Sequence, residues 1–303
     1  AFHRQRIQPL AGVLPANARD TADRWQTVAA RGQPVDVADE MMGLTRTVVL
    51  RTLLGGNLGP FTDKIDEAWT VINEYIGESF WSLGFTDWFP PSKYPRLQAA
   101  LTLLRAAVDH VIRERRRNPS EHSDLLSMLL SARDEDTGEW MTDEQLRVEA
   151  TTFLLAGQET TSLALTWTWY LLSQHVDAQR RLEEEIDAVL GQRPPGHCDL
   201  VNLPYTRMVI DESMRLYPPA WAFSRQALAD DRLGGFHLPR GWLAFVVPFA
   251  LHRMPAYWRD PEVFDPERFS PEQNAARPKF VYLPFGAGPR QCIGNQFALM
   301  ESH

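Results

Sequence analysis

The sequence predicts a mainly α fold with a small β portion, and two observations carry that reading. Apolar residues recur at three-and-four spacing through the first two thirds of the chain, and after Pro219 glycines and prolines bracket short strand candidates. With 303 residues, 44% of them hydrophobic and 23% charged, the chain is long enough to enclose a ligand in its core.

Taken in order, the helical pattern runs over Asp20 to Ala30, Val35 to Leu54, Thr62 to Leu83 and Arg96 to Arg117, with breaks at Gly55-Gly56, Pro90-Pro91 and Asn118-Pro119. His122 to Arg133 reads as another helix, followed by the turn Asp136-Thr137-Gly138. Thr142 with Gln145 three residues on forms a capping box, and no proline interrupts the chain until Pro194. A helix from Asp143 to Gln174 would be on the order of 48 Å long at ~1.5 Å per residue. Around Phe153 to Ala156 it is apolar on every side, which predicts an interior turn. Val176 to Leu190 is expected to stop at Gly191, and Pro204 to Leu216 at Pro218-Pro219. Gly234-Gly235, Pro239 and Gly241 bracket strand candidates, notably Trp242 to Val247, and the chain to Pro289 reads as Pro-rich and irregular. Without a repeat or a clear linker, residues 1–303 are expected to form a single domain, helical to about 217 and strand or irregular from about 218.

The net charge of -8 argues against a nucleic-acid partner. Two cysteines, Cys198 and Cys292, are too few for a disulfide framework, which favours a reducing, cytoplasmic setting for a soluble protein. The chain opens on Ala1-Phe2-His3 and stops at Glu301-Ser302-His303 within an apolar helical pattern, so both ends read as cut, and an N-terminal anchor stays open. Phe153 to Leu172 is apolar, yet it carries Gln158, Glu159 and many hydroxyls; a buried core helix fits it better than a membrane span.

The most specific pattern is Phe285-Gly286-Ala287-Gly288-Pro289-Arg290-Gln291-Cys292-Ile293-Gly294, just ahead of an apolar helix start. A cysteine in a helix's first turn meets the positive end of the helix dipole and free N–H groups, and both favour the thiolate. Gly286 and Gly288 permit a tight loop, Gly294 lets the helix approach a flat ligand, and Arg290 is suited to pair with a carboxylate. Zinc competes poorly, because no His or second Cys stands at ligand spacing.

A second pattern is Ala156-Gly157-Gln158-Glu159-Thr160-Thr161, where a glycine and a polar pair interrupt a buried apolar helix. Thr160 can turn its hydroxyl onto the Ala156 carbonyl and open a groove, with Gly157 leaving room there. Glu212 and Arg215, taken singly, would be an ordinary surface ion pair at helical spacing.

Together these motifs resemble the cytochrome P450 family over nearly the whole chain. Phe-x-x-Gly-x-Arg-x-Cys is similar to its haem-binding loop, Glu212-Ser213-Met214-Arg215 to its Glu-x-x-Arg, and Pro266-Glu267-Arg268-Phe269 to its downstream Pro-Glu-Arg-Phe. The resemblance implies the family's fold, lacking N-terminal helices, most of the sheet and the C-terminal strands. It implies haem b with Cys292 as iron ligand, held by the loop residues Phe285, Gly286, Gly288, Ile293 and Gly294 and flanked by Ala156 and Gly157. Arg290 and Arg225 would pair with its propionates, while Glu159 and Thr160 would handle protons and dioxygen. Glu212, Arg215 and Arg268 would form a buried structural network. His252-Arg253 with Trp258 and Asp260-Pro261 would pack beside it, and Trp167 and Trp169 are expected in the core. Ala1 to Arg6 looks like the segment after a propionate-binding helix.

The implied activity is insertion of one oxygen atom of dioxygen into a hydrophobic substrate. Two electrons would come from an external flavoprotein reductase or ferredoxin, since no nucleotide fingerprint is present. Phe153, Ala220, Trp221 and Phe223 are candidate pocket residues. The 53 positions between Glu159 and Glu212 resemble the fatty-acid hydroxylase and microsomal-like branch, pointing to a substrate such as a fatty acid. A haem-thiolate isomerase or peroxygenase, or a non-catalytic haem sensor, would keep the cysteine loop; the first two usually lose the Glu-Thr pair. Cys292 and the Ala156 to Thr160 turn are expected to face each other across a flat slot of roughly 300–1,000 Å³ or more.

Overall fold

The computed structural model describes residues 8–56, 58–81, 94–118 and 124–303. Its helices are α1 (Leu14–Ala30), α2 (Val37–Leu54), α3 (Ile65–Trp81), α4 (Pro95–Arg117), α5 (Leu125–Leu130), α6 (Asp143–Gln174), α7 (Val176–Leu190) and α8 (Pro204–Leu216). Four short strands follow, β1 (Phe223–Gln226), β2 (Asp231–Leu233), β3 (Phe236–Leu238) and β4 (Leu243–Val246), and then α9 (Pro248–Leu251), α10 (Pro271–Ala276) and α11 (Asn295–Ser302). Among the described residues no helix is long and apolar enough to cross a membrane, in line with the reading of Phe153 to Leu172 as a core helix.

The long helix α6 begins where its cap predicts. The Thr142 N–H donates to Gln145 Oε1 at 2.8 Å, and the Gln145 N–H to Thr142 Oγ1 at 3.2 Å. At the end of α7, Gly191 takes φ +58°, a conformation that costs a side-chain residue about 1 kcal/mol or more. Pro95 and Pro204 stand at the first helical positions, where a missing N–H costs nothing.

The chain forms two compact units. Of the described residues, the first comprises those from Gln8 to Val13 and from Arg46 to Gln158, and the second those from Leu14 to Thr45 and from Glu159 to His303. In the first, Val48, Leu53 and Leu54 of α2, Trp69 and Ile72 of α3, and Leu104, Val108 and Ile112 of α4 are all buried. There Arg115 reaches Asp124 at 2.6 Å and the Leu54 carbonyl at 2.8 Å, so the buried guanidinium is fully engaged. In the second unit, α8 is the central element. Leu171, Leu172, Tyr205, Val209, Leu216 and Phe264 form one cluster, and Ala164, Ile210 and Met214 pack with Phe285 and Leu299. β1 pairs antiparallel with β4, and β2 with β3 across the Gly234-Gly235 turn, where both glycines have positive φ.

Several expectations are revised. The helix expected over His122 to Arg133 ends at Leu130, because Arg133 bridges to Trp140 and the Asp134 N–H donates to the Glu139 carbonyl. His122, Pro90-Pro91 and Ala1 to Arg6 lie outside the described residues. The Phe153 to Ala156 turn is not buried all round: Leu154 is buried and Ala156 is exposed. Trp169, expected in the core, is 46% exposed and leans on Trp25, while Trp167 is half-buried and stacks on Tyr217 with centroids 4.1 Å apart. The Pro-rich stretch holds two short α-helices, each starting on a proline.

Candidate active site

The cysteine loop is a chain of backbone turns. The Gly286 N–H donates to the Leu283 carbonyl at 3.2 Å, the Gln291 N–H to Gly288 at 3.0 Å and the Cys292 N–H to Phe285 at 2.9 Å. Gly286 and Gly288 have φ +68° and +71°, as the tight loop requires. Cys292 is two residues ahead of the α11 cap at Gly294, not in the helix's first turn as expected, and its own N–H is used by Phe285. A Cβ at Gly294 would stand 3.9 Å from the sulfur.

Cys292 is an exposed free thiol that lines a cavity of about 270 Å³. From α6 the lining residues are Thr160, Thr161 and Ala164, and from the loop Phe285, Gly286 and Arg290. Ala220, Phe223 and Arg225 close another side. The volume falls just under the expected range, and Phe223, Phe285 and Met214 are among the walls. Arg225 is exposed, donates to the Ser224 carbonyl at 2.8 Å and lies over the Phe223 ring. Trp221, Gly288, Gly294 and the 62% exposed Ile293 are not part of the lining.

In the first unit Phe153 and Gly157 are half-buried, and the room expected at Gly157 is taken: a Cβ there would meet Val49 Cγ2 at 3.0 Å. The glycine serves close packing of α6 on α2. Glu159 is half-buried, next to Thr160 but outside the lining.

Glu212 and Arg215 form no surface pair. Both side chains are fully buried, with Arg215 Nε 2.6 Å from Glu212 Oε2 and its second nitrogen 2.8 Å from Oε1. Arg215 also donates to the carbonyls of His252, Pro261 and Val263, and Glu212 Oε1 accepts the Asp265 N–H at 2.9 Å. Arg268 Nε stands 3.4 Å from Glu212 Oε1. Burial pushes the Glu212 carboxyl up, and Arg215, the Asp265 N–H and Arg268 draw it back down. His252 is buried against this network, and burial, with Arg215 and Arg253 beside it, lowers its imidazole to about 4.

The sequence reading missed Thr161, Ala164, Ala298 and Ser302 in the lining. Helical spacing signals one of them, since Ala164 follows the predicted Thr160 by four residues. It also missed Glu301, on α11 between the lining residue Ser302 and the buried Met300. Burial pushes its carboxyl up to about 8 against a smaller lowering by the Thr161 hydroxyl, and neither oxygen has a partner at full hydrogen-bond geometry.

A profile of the Cytochrome P450 family matches residues 1–303. The chain belongs to the cytochrome P450 family. Among curated relatives, cyclooctatin synthase of Streptomyces melanosporofaciens is 36% identical, over 100% of this chain and 66% of that protein. Cyclooctat-9-en-7-ol 5-monooxygenase of the same organism is 37% identical over 100% and 65%. The crystal structure of the cytochrome P450DA heme domain superposes with a TM-score of 0.86 at 30% identity, covering 100% of this chain and 66% of that one. This chain therefore spans just under two thirds of the length of these proteins.

Haem b is the P450 cofactor, and the residues present fit it. An accessible thiol faces a cavity with mostly apolar walls, and Arg225 and Arg290 border the same cavity as candidate partners for two carboxylates.

Proposed function

We propose that this chain carries the haem pocket of a monooxygenase, with Cys292 holding the iron and Thr160 on the oxygen side. The observation that supports it most is that Cys292 and Thr160, 132 positions apart in sequence, line one cavity. When bound, haem supplies reductive activation of dioxygen, so that one oxygen atom enters a C–H or C=C bond of the substrate and the other leaves as water.

Around it the chain supplies binding, shape and protons. Arg290 and Arg225 would pair with the propionates, and Phe285, Gly286, Gly288, Ile293 and Gly294 shape the loop that presents the sulfur. Thr160 would donate and accept hydrogen bonds in the cavity and Glu159 would exchange protons with solvent, while Ala156 and Gly157 belong to the same helical motif. Glu212, Arg215 and Arg268 hold the fold behind the loop. Ala220 and Phe223 give the cavity an apolar lining suited to a hydrophobic substrate, while the other two pocket candidates, Phe153 and Trp221, are not among its lining residues. The spacing argument favours a fatty acid, whereas the name of one relative points to an unsaturated alcohol. Two electrons come from an external flavoprotein reductase or ferredoxin.

The test is the carbon-monoxide difference spectrum of the reduced full-length protein, wild type against Cys292→Ser. The wild type is expected to show the red-shifted thiolate-type band. The variant should lose the band and monooxygenation together, since a neutral alcohol does not supply the same donation to iron. Retention of both would overturn the assignment.

A further inference from the structure

The imidazole of His252 has chemistry that the reading above leaves unused. It is fully buried, and its Nε2 accepts the backbone N–H of Leu283 at 2.9 Å. A ring nitrogen that accepts carries no proton, so the neutral ring has its proton on Nδ1. That Nδ1–H has no partner at full hydrogen-bond geometry, and the acceptors acting on the ring are the carbonyls of Met214 and Arg215 at the end of α8.

What the ring holds is the entrance to the cysteine loop. Leu283, Pro284 and Phe285 line the cavity, the Leu283 carbonyl accepts the Gly286 N–H, and the Phe285 carbonyl accepts the Cys292 N–H. On its other side the His252 carbonyl accepts from Arg215 at 2.9 Å. Hydrogen bonds and short backbone steps thus run from Glu212 and Arg215 through His252 and Leu283 to Cys292.

We propose that His252, as its Nδ1–H tautomer, is a positioning residue for Cys292, fixing Leu283 and through it the backbone that presents the sulfur to the cavity. This rests on the haem-thiolate reading above. A protonated ring has no lone pair for Leu283, and the surroundings disfavour that form. Arg215 from α8 and Arg253 beside it in the chain carry positive charge, and Tyr282 and Trp258 pack at ring-centroid distances of 5.2 and 6.3 Å.

The experiment uses the full-length haem-loaded protein with His252→Gln and His252→Leu. The glutamine amide oxygen can stand where Nε2 stands and accept from Leu283; leucine cannot. Amide hydrogen exchange at Leu283 is expected to speed up on the order of tenfold in the leucine variant, from loss of one hydrogen bond of about 1.4 kcal/mol, and to stay near wild type in the glutamine variant. The thiolate-type band of the reduced carbon-monoxide complex should decay faster in the leucine variant alone.

Equal effects of the two substitutions, or wild-type exchange and band in the leucine variant, would overturn the proposal. Should the leucine variant fail to fold, the nitrogen chemical shifts of the wild-type ring decide: protonated Nδ1 at neutral pH is expected, and protonated Nε2 overturns it. A wild type without the thiolate band would instead sink the haem-thiolate reading, while exchange at Leu283 still reports on the latch.

Discussion

Thr160 and Thr161 are neighbours on α6, both line the cavity, and they differ in burial: Thr160 is exposed and Thr161 is 3% exposed. The accessible hydroxyl is the one that can exchange hydrogen bonds with a distal ligand and water. Thr160→Ala in the full-length enzyme is therefore expected to leave the thiolate-type spectrum intact. Product formed per electron consumed should fall by up to about 10²-fold, the lower end of what a lost proton-transfer group costs, with the remaining electrons recovered as peroxide. Unchanged yield would reduce Thr160 to a helix residue. At this scale the sequence was informative where a residue breaks a local rule. A Glu-Thr pair in an apolar helix and a cysteine after two glycines both stand out. Glu301 and His252 do not, because an acid on a short helix and a histidine in a Pro-rich stretch violate nothing until burial is known.

Among the elements, α6 was legible to the residue. Its cap, its length and its proline-free interior are all local properties, and the same holds for Gly191 after α7 and Pro204 opening α8. The end of α5 was not, since Arg133 leaves the helix for a pairing with Trp140 that spacing alone does not announce. The place of Gly157 was also beyond the sequence: its missing side chain is filled by Val49, a residue 108 positions earlier. In isolation Gly157→Ala should gain roughly 1 kcal/mol of helix propensity. Here the new methyl meets Val49 Cγ2 at 3.0 Å, and overpacking of a closed contact costs about 1–3 kcal/mol. The single substitution is expected to lower the denaturation midpoint, and Val49→Ala added to it should recover part of the loss. Additive losses in the double variant would show that the two residues do not meet.

For the molecule as a whole, His252 and Glu301 place opposite slopes on stability against pH. His252 is lowered from 6.5 to about 4, so between those values the unfolded chain takes up a proton that the folded one refuses. Its contribution is intact above 6.5 and is lost as pH falls toward 4. Glu301 is raised from 4.5 to about 8, so the folded chain keeps a proton that the unfolded one has released. Its contribution is full below 4.5 and is lost as pH rises through 8. Each slope is roughly 1.4 kcal/mol per pH unit within its window. From 4.5 to 6.5 the two cancel, and from 6.5 to 8 only the Glu301 slope remains. Glu301→Gln keeps the shape and the neutral state but does not titrate. In the full-length protein at constant ionic strength, denaturant midpoints should fall for the wild type between pH 6.5 and 8 more steeply than for the variant. Below 4.5, where the acid is neutral in both states, the two proteins should run parallel. Parallel profiles across the whole range would mean that Glu301 is ionised in the fold, and its burial beside Thr161 would then need a cation partner.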